Sequence, residues 1–345
     1  MGSRKYTIFV TGSLGWLGKN LLSDLCRSND ILGTFGKDYK IKAFLLENED
    51  PSFIKKLSKD IEIFKGSLLS PTDCNAFFNN SRKGILIHTV GVIHPKITRE
   101  FFSINFKTTQ NALNAAIASR TKRAIVISSN SPCGCNPTRD SLFDESSPYN
   151  PYMKYGLSKQ KMELFVKQQH KRGLIETVIL RPMWFYGPHQ PQRQTLFFDM
   201  IRHGKAPIIG DGSNKRSMTY IDNLVQAIKL AIIKDRAAGE TYWIADDRPY
   251  SMNEIIDTIE HLLENEFHQT CDGGRFKLPH LASNLAFHID KGLQTFGLYN
   301  SKIHVLSEMN KTIACTIDKA KNQLGYAPTI SLEEGMRRSL KEWLC

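Results

Sequence analysis

The 345-residue chain is 41% hydrophobic, enough to bury a full core, and its length suits one large domain with an appendage, or two domains. Its net charge of +12 is spread along the chain and not gathered into one stripe, which suits anionic small molecules and argues against a nucleic-acid partner. Seven cysteines without a paired framework or metal spacing suit a reducing compartment, and no apolar run reaches membrane-spanning length, so a cytoplasmic protein with no bound metal is expected.

Arg4-Lys5 leads straight into a strand-like run, Tyr6 to Val10, with no cleavable leader. The strand meets Thr11-Gly12-Ser13-Leu14-Gly15-Trp16-Leu17-Gly18, and a helix follows to Leu25. Glycine at every third position between a strand and a helix lets backbone approach a pyrophosphate and aims helix N–H groups at it. A dinucleotide site is expected here. After a long loop, Ser28 to Lys40, a second strand spans Ile41 to Leu46 and ends in Glu47. A carboxylate there accepts both adenosine ribose hydroxyls and repels the extra phosphate of NADP, so NAD is favoured. The alternative is that Glu47 merely opens the charged loop Glu47-Asn-Glu-Asp50.

Short strands at Ile61 to Phe64 and Ile85 to His88 flank a Pro71-initiated helix, and Phe106 to Ala118 has helical spacing of Ala and Leu. The continuous apolar run Ala124 to Ile127 suits a buried parallel strand, ending in Ser128-Ser129-Asn130-Ser131. Strands alternating with helices predict an α/β fold with a Rossmann-type, doubly wound parallel sheet, its ligand at the carboxyl ends of the strands. Gly12, Glu47, Thr89, Val90, Gly91 and Ser129 all fall at such ends.

Next comes Tyr155-Gly-Leu-Ser-Lys159 in a helix-friendly segment. Four residues apart, the phenol and the ammonium project from one helix face, so the pair is a candidate acid/base device, although an isolated pair is more often plain surface. Beyond Arg181, prolines 182, 188, 191 and 207 suit the loops of a smaller lobe, while Thr219 to Lys229 returns to the main domain with Asp222 as helix N-cap. Ser251-Met-Asn-Glu254 is a capping box, and the apolar segment Leu278 to Leu298 reads as lobe packing before it reads as a peripheral membrane contact.

Taken together, these pieces resemble the extended short-chain dehydrogenases/reductases of the NAD-dependent epimerase/dehydratase group. The resemblance rests on the glycine turn, His88-Thr-Val-Gly91, Asn105, Ser128-Ser129, Pro151 to Lys159, Leu180-Arg-Pro182, Tyr186-Gly-Pro188, Gly210-Asp-Gly212, Tyr220-Ile-Asp222, Gly239 to Ile244 and Leu324 to Gly335, all in order. It implies an NAD-binding domain over residues 1–180, joined by 219–245, and a C-terminal substrate-binding lobe from 181–218 and 246–345. It implies cofactor contacts from the glycine turn, Glu47, Ser67, Leu68, Thr89, Val90, Gly91, Asn105, Tyr155, Lys159 and Pro182, and a homodimer. Tyr155 becomes the acid/base, and Lys159 the residue that holds the nicotinamide ribose and, together with the cationic oxidised ring, lowers the phenol's pKa. Ser129, 26 positions earlier, binds the reacting oxygen, with Ser128 or Ser131 as alternatives.

Substrate is less constrained. Where dehydrating members carry Asp-Glu this chain has Asn130-Ser131, which disfavours dehydration. Arg216 stands where nucleotide-sugar members clamp a diphosphate, while Trp184 replaces their usual asparagine. Ser131, Trp184 and Arg216 are the expected substrate contacts. The leading expectation is oxidation or epimerisation of a secondary alcohol on a nucleotide-sugar. Kinship with the 3β-hydroxysteroid dehydrogenase branch makes an apolar alcohol the second, and a non-catalytic NAD binder is the third.

Overall fold

The computed structural model describes residues 6–27, 39–79 and 83–345; Arg4-Lys5 and most of the expected Ser28–Lys40 loop lie outside them. Seven parallel strands form the central sheet in the order β11-β6-β5-β4-β1-β2-β3. They are β1 (Tyr6–Thr11), β2 (Tyr39–Leu45), β3 (Glu62–Lys65), β4 (Ile85–His88), β5 (Arg123–Ile127), β6 (Glu176–Pro182) and β11 (Thr241–Ile244). Successive side chains of a strand point to opposite faces, and here both faces are dry. Ile8 and Val10 enter one core with α1 (Trp16–Arg27) and α7 (Ile221–Ile233), while Phe9 enters the other with α3 (Pro71–Phe77), α4 (Thr108–Ala118) and α5 (Met153–Lys171). Helices on both faces make the sheet doubly wound, and burying each such side chain contributes ~2 kcal/mol. Because β1 lies between β2 and β4, the strand order reverses at β1, which opens a crevice at the carboxyl ends.

The wall between the two layers is tied by polar residues. His88, fully buried at the end of β4, bridges the Thr11 hydroxyl at 2.8 Å and the Thr109 hydroxyl at 2.9 Å. Burial, reinforced by the Lys159 charge, depresses its pKa to about 3, so it acts as a neutral strut. Arg123 closes the far end of α7, donating to the carbonyls of Ala231, Ile232 and Lys234, a cation where the helix dipole is negative.

Two local expectations change. The helix expected from Phe106 is wound as a π-helix over Phe101–Lys107 before α4 begins, and Asn105 within it bonds the backbone of Val92 in both directions. Asp222 is not the cap of α7: Tyr220 holds that position, and Asp222 lies in the first turn facing Arg338 at 3.5 Å. Ser251 does cap α8 (Met252–Asn265), accepting from Glu254 N at 3.0 Å. The C-terminal part also contributes β7 (Trp184–Tyr186), α6 (Gln192–Arg202), β9 (Lys215–Arg216), β13 (Phe276–Leu278) and a helical hairpin, α9 (His280–Thr295) with α10 (Ser301–Glu308). No helix among the described residues is long and apolar enough to cross a membrane.

Candidate active site

The glycine turn sits at the crevice. Gly12 has φ +76°, and an added Cβ would meet the Thr89 hydroxyl at 2.6 Å, so the end of β4 closes directly on the turn. Thr89 locks that approach by donating to Thr11 O at 2.8 Å. Leu14 is half-buried, Gly15 is exposed, and Trp16 starts α1 with its indole donating to Pro188 O at 2.7 Å. Leu17 packs into the core, and Gly18 is where the helix crosses the turn: a Cβ would lie 2.1 Å from Gly12 O. Gly18→Ala is therefore expected to spread turn and helix apart and to weaken dinucleotide affinity by at least about tenfold, checked by calorimetric NAD titration. Affinity within error of wild type would show that the close approach is dispensable.

Glu47 lies two residues beyond the end of β2 with an exposed side chain, at the same edge. Ser67 N is held by Asp73 at 2.8 Å, and Leu68 is buried with its carbonyl accepting from Asn111. Both follow β3 on the turn's side of the sheet. Val90 and Gly91 continue from Thr89, and Asn105 fixes the next residue, accepting from Val92 N at 2.7 Å and donating to Ser158 Oγ at 3.1 Å.

Helix α5 brings the candidate pair, Tyr155 and Lys159, to the same place. Ser158 donates back to Tyr155 O, and Lys159 donates to Ile127 O, the last carbonyl of β5, at 3.0 Å. A Cβ on Gly91 would come within 3.3 Å of the Lys159 ammonium, so the glycine leaves the cation its berth. Gly156 does the same for the serine loop, since a Cβ there would lie 2.4 Å from Ser131 O. Ser129, beside that contact, is near enough to α5 for its side chain to favour the Tyr155 phenolate. Ser131 is buried and its N–H donates to Ser129 Oγ at 3.2 Å, so it orients Ser129 in this structure. Pro182 ends β6 against Ile244.

Burial, with Glu308 adding to it, raises Tyr155 to about 12, opposed by the Ser129 side chain and by the Arg193 guanidinium. Burial lowers Lys159 itself to about 8, with Glu163 working the other way.

A profile of the NAD dependent epimerase/dehydratase family matches residues 8–245. The chain belongs to that family. It is 45% identical over 97% of its length, and 94% of the relative's, to the uncharacterized protein y4nL of Sinorhizobium fredii. It is 31% identical to the 3beta-hydroxysteroid-dehydrogenase/decarboxylase isoform 1 of Arabidopsis thaliana, over 69% of this chain and 57% of that one. To the UDP-glucose 4-epimerase of Vibrio cholerae it is 25% identical over 99% and 98%. The fold superposes on the UDP-glucuronic acid 4-epimerase of Bacillus cereus in complex with NAD with a TM-score of 0.73, covering 97% of this chain and 98% of that one at 22% identity.

Within this epimerase/dehydratase framework, two expected substrate residues sit differently from expectation. Arg216, on β9, donates through Nη2 to Glu308 O at 2.6 Å, and its Nε is buried with no partner among the described residues. The guanidinium is thus held by a carbonyl of α10, which the spacing after Gly-Asp-Gly could not disclose. Trp184 faces α6, its indole donating to Gln194 at 3.2 Å and its ring 5.7 Å from Phe197. Sequence reasoning missed the ring ladder beside the phenol, in which Phe101 lies 5.7 Å from Tyr155 and 5.3 Å from Tyr299. It also missed Glu163, whose only signal was its place one turn beyond Lys159. Glu163 is fully buried and takes two bonds from Arg181, at 3.0 and 2.7 Å, and one from Tyr149 at 2.7 Å. Burial alone would push its carboxyl up, but Arg181 holds it below the usual range.

Proposed function

We infer that this enzyme moves hydride between NAD and a secondary alcohol of a nucleotide-activated sugar, with Tyr155 as acid/base. The observation that carries this reading is the convergence of Ser129 and Tyr155 at the carboxyl edge of the sheet, beside a lysine ammonium that donates to Ile127 O in the space Gly91 leaves. Gly12 and the Leu14–Gly18 turn would cradle the pyrophosphate, Glu47 the adenosine ribose, Ser67 and Leu68 the adenine side, and Thr89 to Gly91, Asn105, Lys159 and Pro182 the nicotinamide half. The cradle fits such a group, since the two glycine positions leave no room for a Cβ while Gly15 stays open to solvent. NAD supplies the hydride acceptor. Tyr155 takes the hydroxyl proton as the carbonyl forms, Ser129 holds the oxygen, and Lys159 anchors and polarises the neighbourhood. In this assignment residues 1–180 with 219–245 form the nucleotide lobe, and 181–218 with 246–345 the substrate side.

A second reading, an apolar secondary alcohol, is favoured by the Arg216 tie to Glu308 O, which occupies part of the guanidinium meant for a diphosphate, and by the aromatic Trp184–Phe197 wall. One experiment separates them. An epimerase recycles its cofactor, so purified protein is expected to carry NAD and to show no net NADH when given UDP-sugars. Stoichiometric NADH release from hydroxysteroids and none of that behaviour with sugars would establish the second reading, and failure to bind NAD at all would sink both.

A further inference from the structure

Helix α9 is amphipathic in the opposite sense to a helix that packs on a core. Its buried positions are Ser283, Ala286, Asp290 and Gln294, whereas Leu281, Leu285, Ile289 and Phe296 face outward, Leu281 being 73% and Phe296 84% exposed. At 100° per residue those four fall on one stripe about 80° wide. The inner face is committed to polar work. Asp290 holds His304 at 2.7 Å, Gln294 donates to Asp290 at 2.9 Å and accepts from Lys154 N at 3.0 Å, the residue before the catalytic phenol. With the inside so used, the leucines are left to solvent, and Phe276, Leu298 and Val305 are exposed nearby in the chain.

The charges around this face are one-sided. From Phe276 to the end of α10 the chain has two carboxylates, Asp290, which is fully buried, and Glu308, which is mostly buried beside His304, while Lys277, Lys291 and Lys302 are exposed. A second copy is a poor cover for such a face. In a two-fold contact the patch meets itself, so lysines would face lysines with no fully exposed acid from this stretch between them. An anionic lipid surface is complementary on both counts: acyl chains for the stripe, headgroups for the ammoniums. The face is also joined to the site. Thr98 N donates to Gly297 O at 3.1 Å and Ile97 bridges Leu298, so the turn after α9 is strapped to the loop that follows β4. The next residue, Tyr299, hydrogen-bonds His94 at 2.6 Å and lines with it a cleft of about 350 Å³.

We propose that the outer face of α9, with the Phe296–Leu298 turn, docks on an anionic membrane surface. This goes beyond the hydride chemistry inferred above and does not depend on it. The test is co-sedimentation of the full chain with vesicles of phosphatidylcholine alone and of phosphatidylcholine mixed with phosphatidylglycerol. Sedimentation with the mixed vesicles, weakened by salt, is expected, and Leu285→Ser with Phe296→Ser should lower the apparent partition coefficient about tenfold or more. Lys277→Gln, Lys291→Gln and Lys302→Gln together should do the same for the anionic vesicles while leaving NAD affinity and melting temperature unchanged. No binding to mixed vesicles, or binding indifferent to the apolar pair, overturns the proposal. So does a wild-type dimer in sedimentation velocity that the apolar pair converts to monomer, since a second copy would then be the cover.

Discussion

Tyr155→Phe is expected to bind NAD within about twofold of the wild type and to lose about a thousandfold in turnover, within the span usual for removing a positioned acid/base. The change removes the phenol oxygen and leaves the ring, packed 5.7 Å from Phe101, in place. Isothermal titration and single-turnover kinetics separate the two quantities. Turnover within tenfold of wild type would remove Tyr155 from the chemistry. The pH dependence carries a sign. Oxidation needs the phenolate, and burial holds Tyr155 up at about 12, so kcat/KM for oxidation should climb through the neutral and alkaline range. Reduction needs the neutral phenol, which prevails throughout, so its profile should stay flat there. Arg193 opposes the rise, and Arg193→Ala should move the oxidation limb to higher pH.

Arg181→Met is expected to cost about 3–5 kcal/mol of stability, the typical penalty for stranding one member of a buried ion pair. Arg181 is 2% exposed and Glu163 is fully buried, so water cannot replace the two lost hydrogen bonds. Urea unfolding measures the loss through its midpoint, and a loss under about 1 kcal/mol would show that the pair is not the strut claimed here. Glu163→Leu added to Arg181→Met should recover much of it, because an apolar pair leaves no buried charge uncompensated. Acid acts in the same direction as the single change. Arg181 depresses the Glu163 carboxyl below its model-peptide value of 4.5, so its stabilisation is complete above that pH and is lost as pH falls through the lowered value.

What was legible in the sequence follows the range of the forces involved. The glycine turn, the strand run of β1 and the cap at Ser251 are local devices whose partners lie within a few residues, and the chain spells them out. The serine, tyrosine and lysine were legible because helical spacing and family resemblance coincide on them. The fate of Arg216 was not, since the carbonyl that holds it lies 92 residues further along. Nor was the source of the phenol's field: a cation one turn away on the same helix was the natural guess, yet Lys159 turns to Ile127 O, and the charges that reach Tyr155 come from Glu308 and Arg193 in other elements. The apolar segment around Leu278 to Leu298 was legible as apolar, but its direction was not, because a helix pattern says which residues share a side and not which side faces in.

The π-wound stretch ahead of α4 has a bearing on how tightly this architecture can be edited. A turn of that kind holds one residue more than regular winding, and each residue of an ordinary helix is worth 100° of rotation. Asn105 reaches Val92 and Ser158 from inside that stretch, whose phase the surplus residue offsets from the helix that follows. Sequence drift that shortens the segment by a single position would swing the carboxamide out of register while leaving helix content, core volume and every glycine intact. The length of that segment, more than its composition, is therefore what ties the wall after β4 to α5.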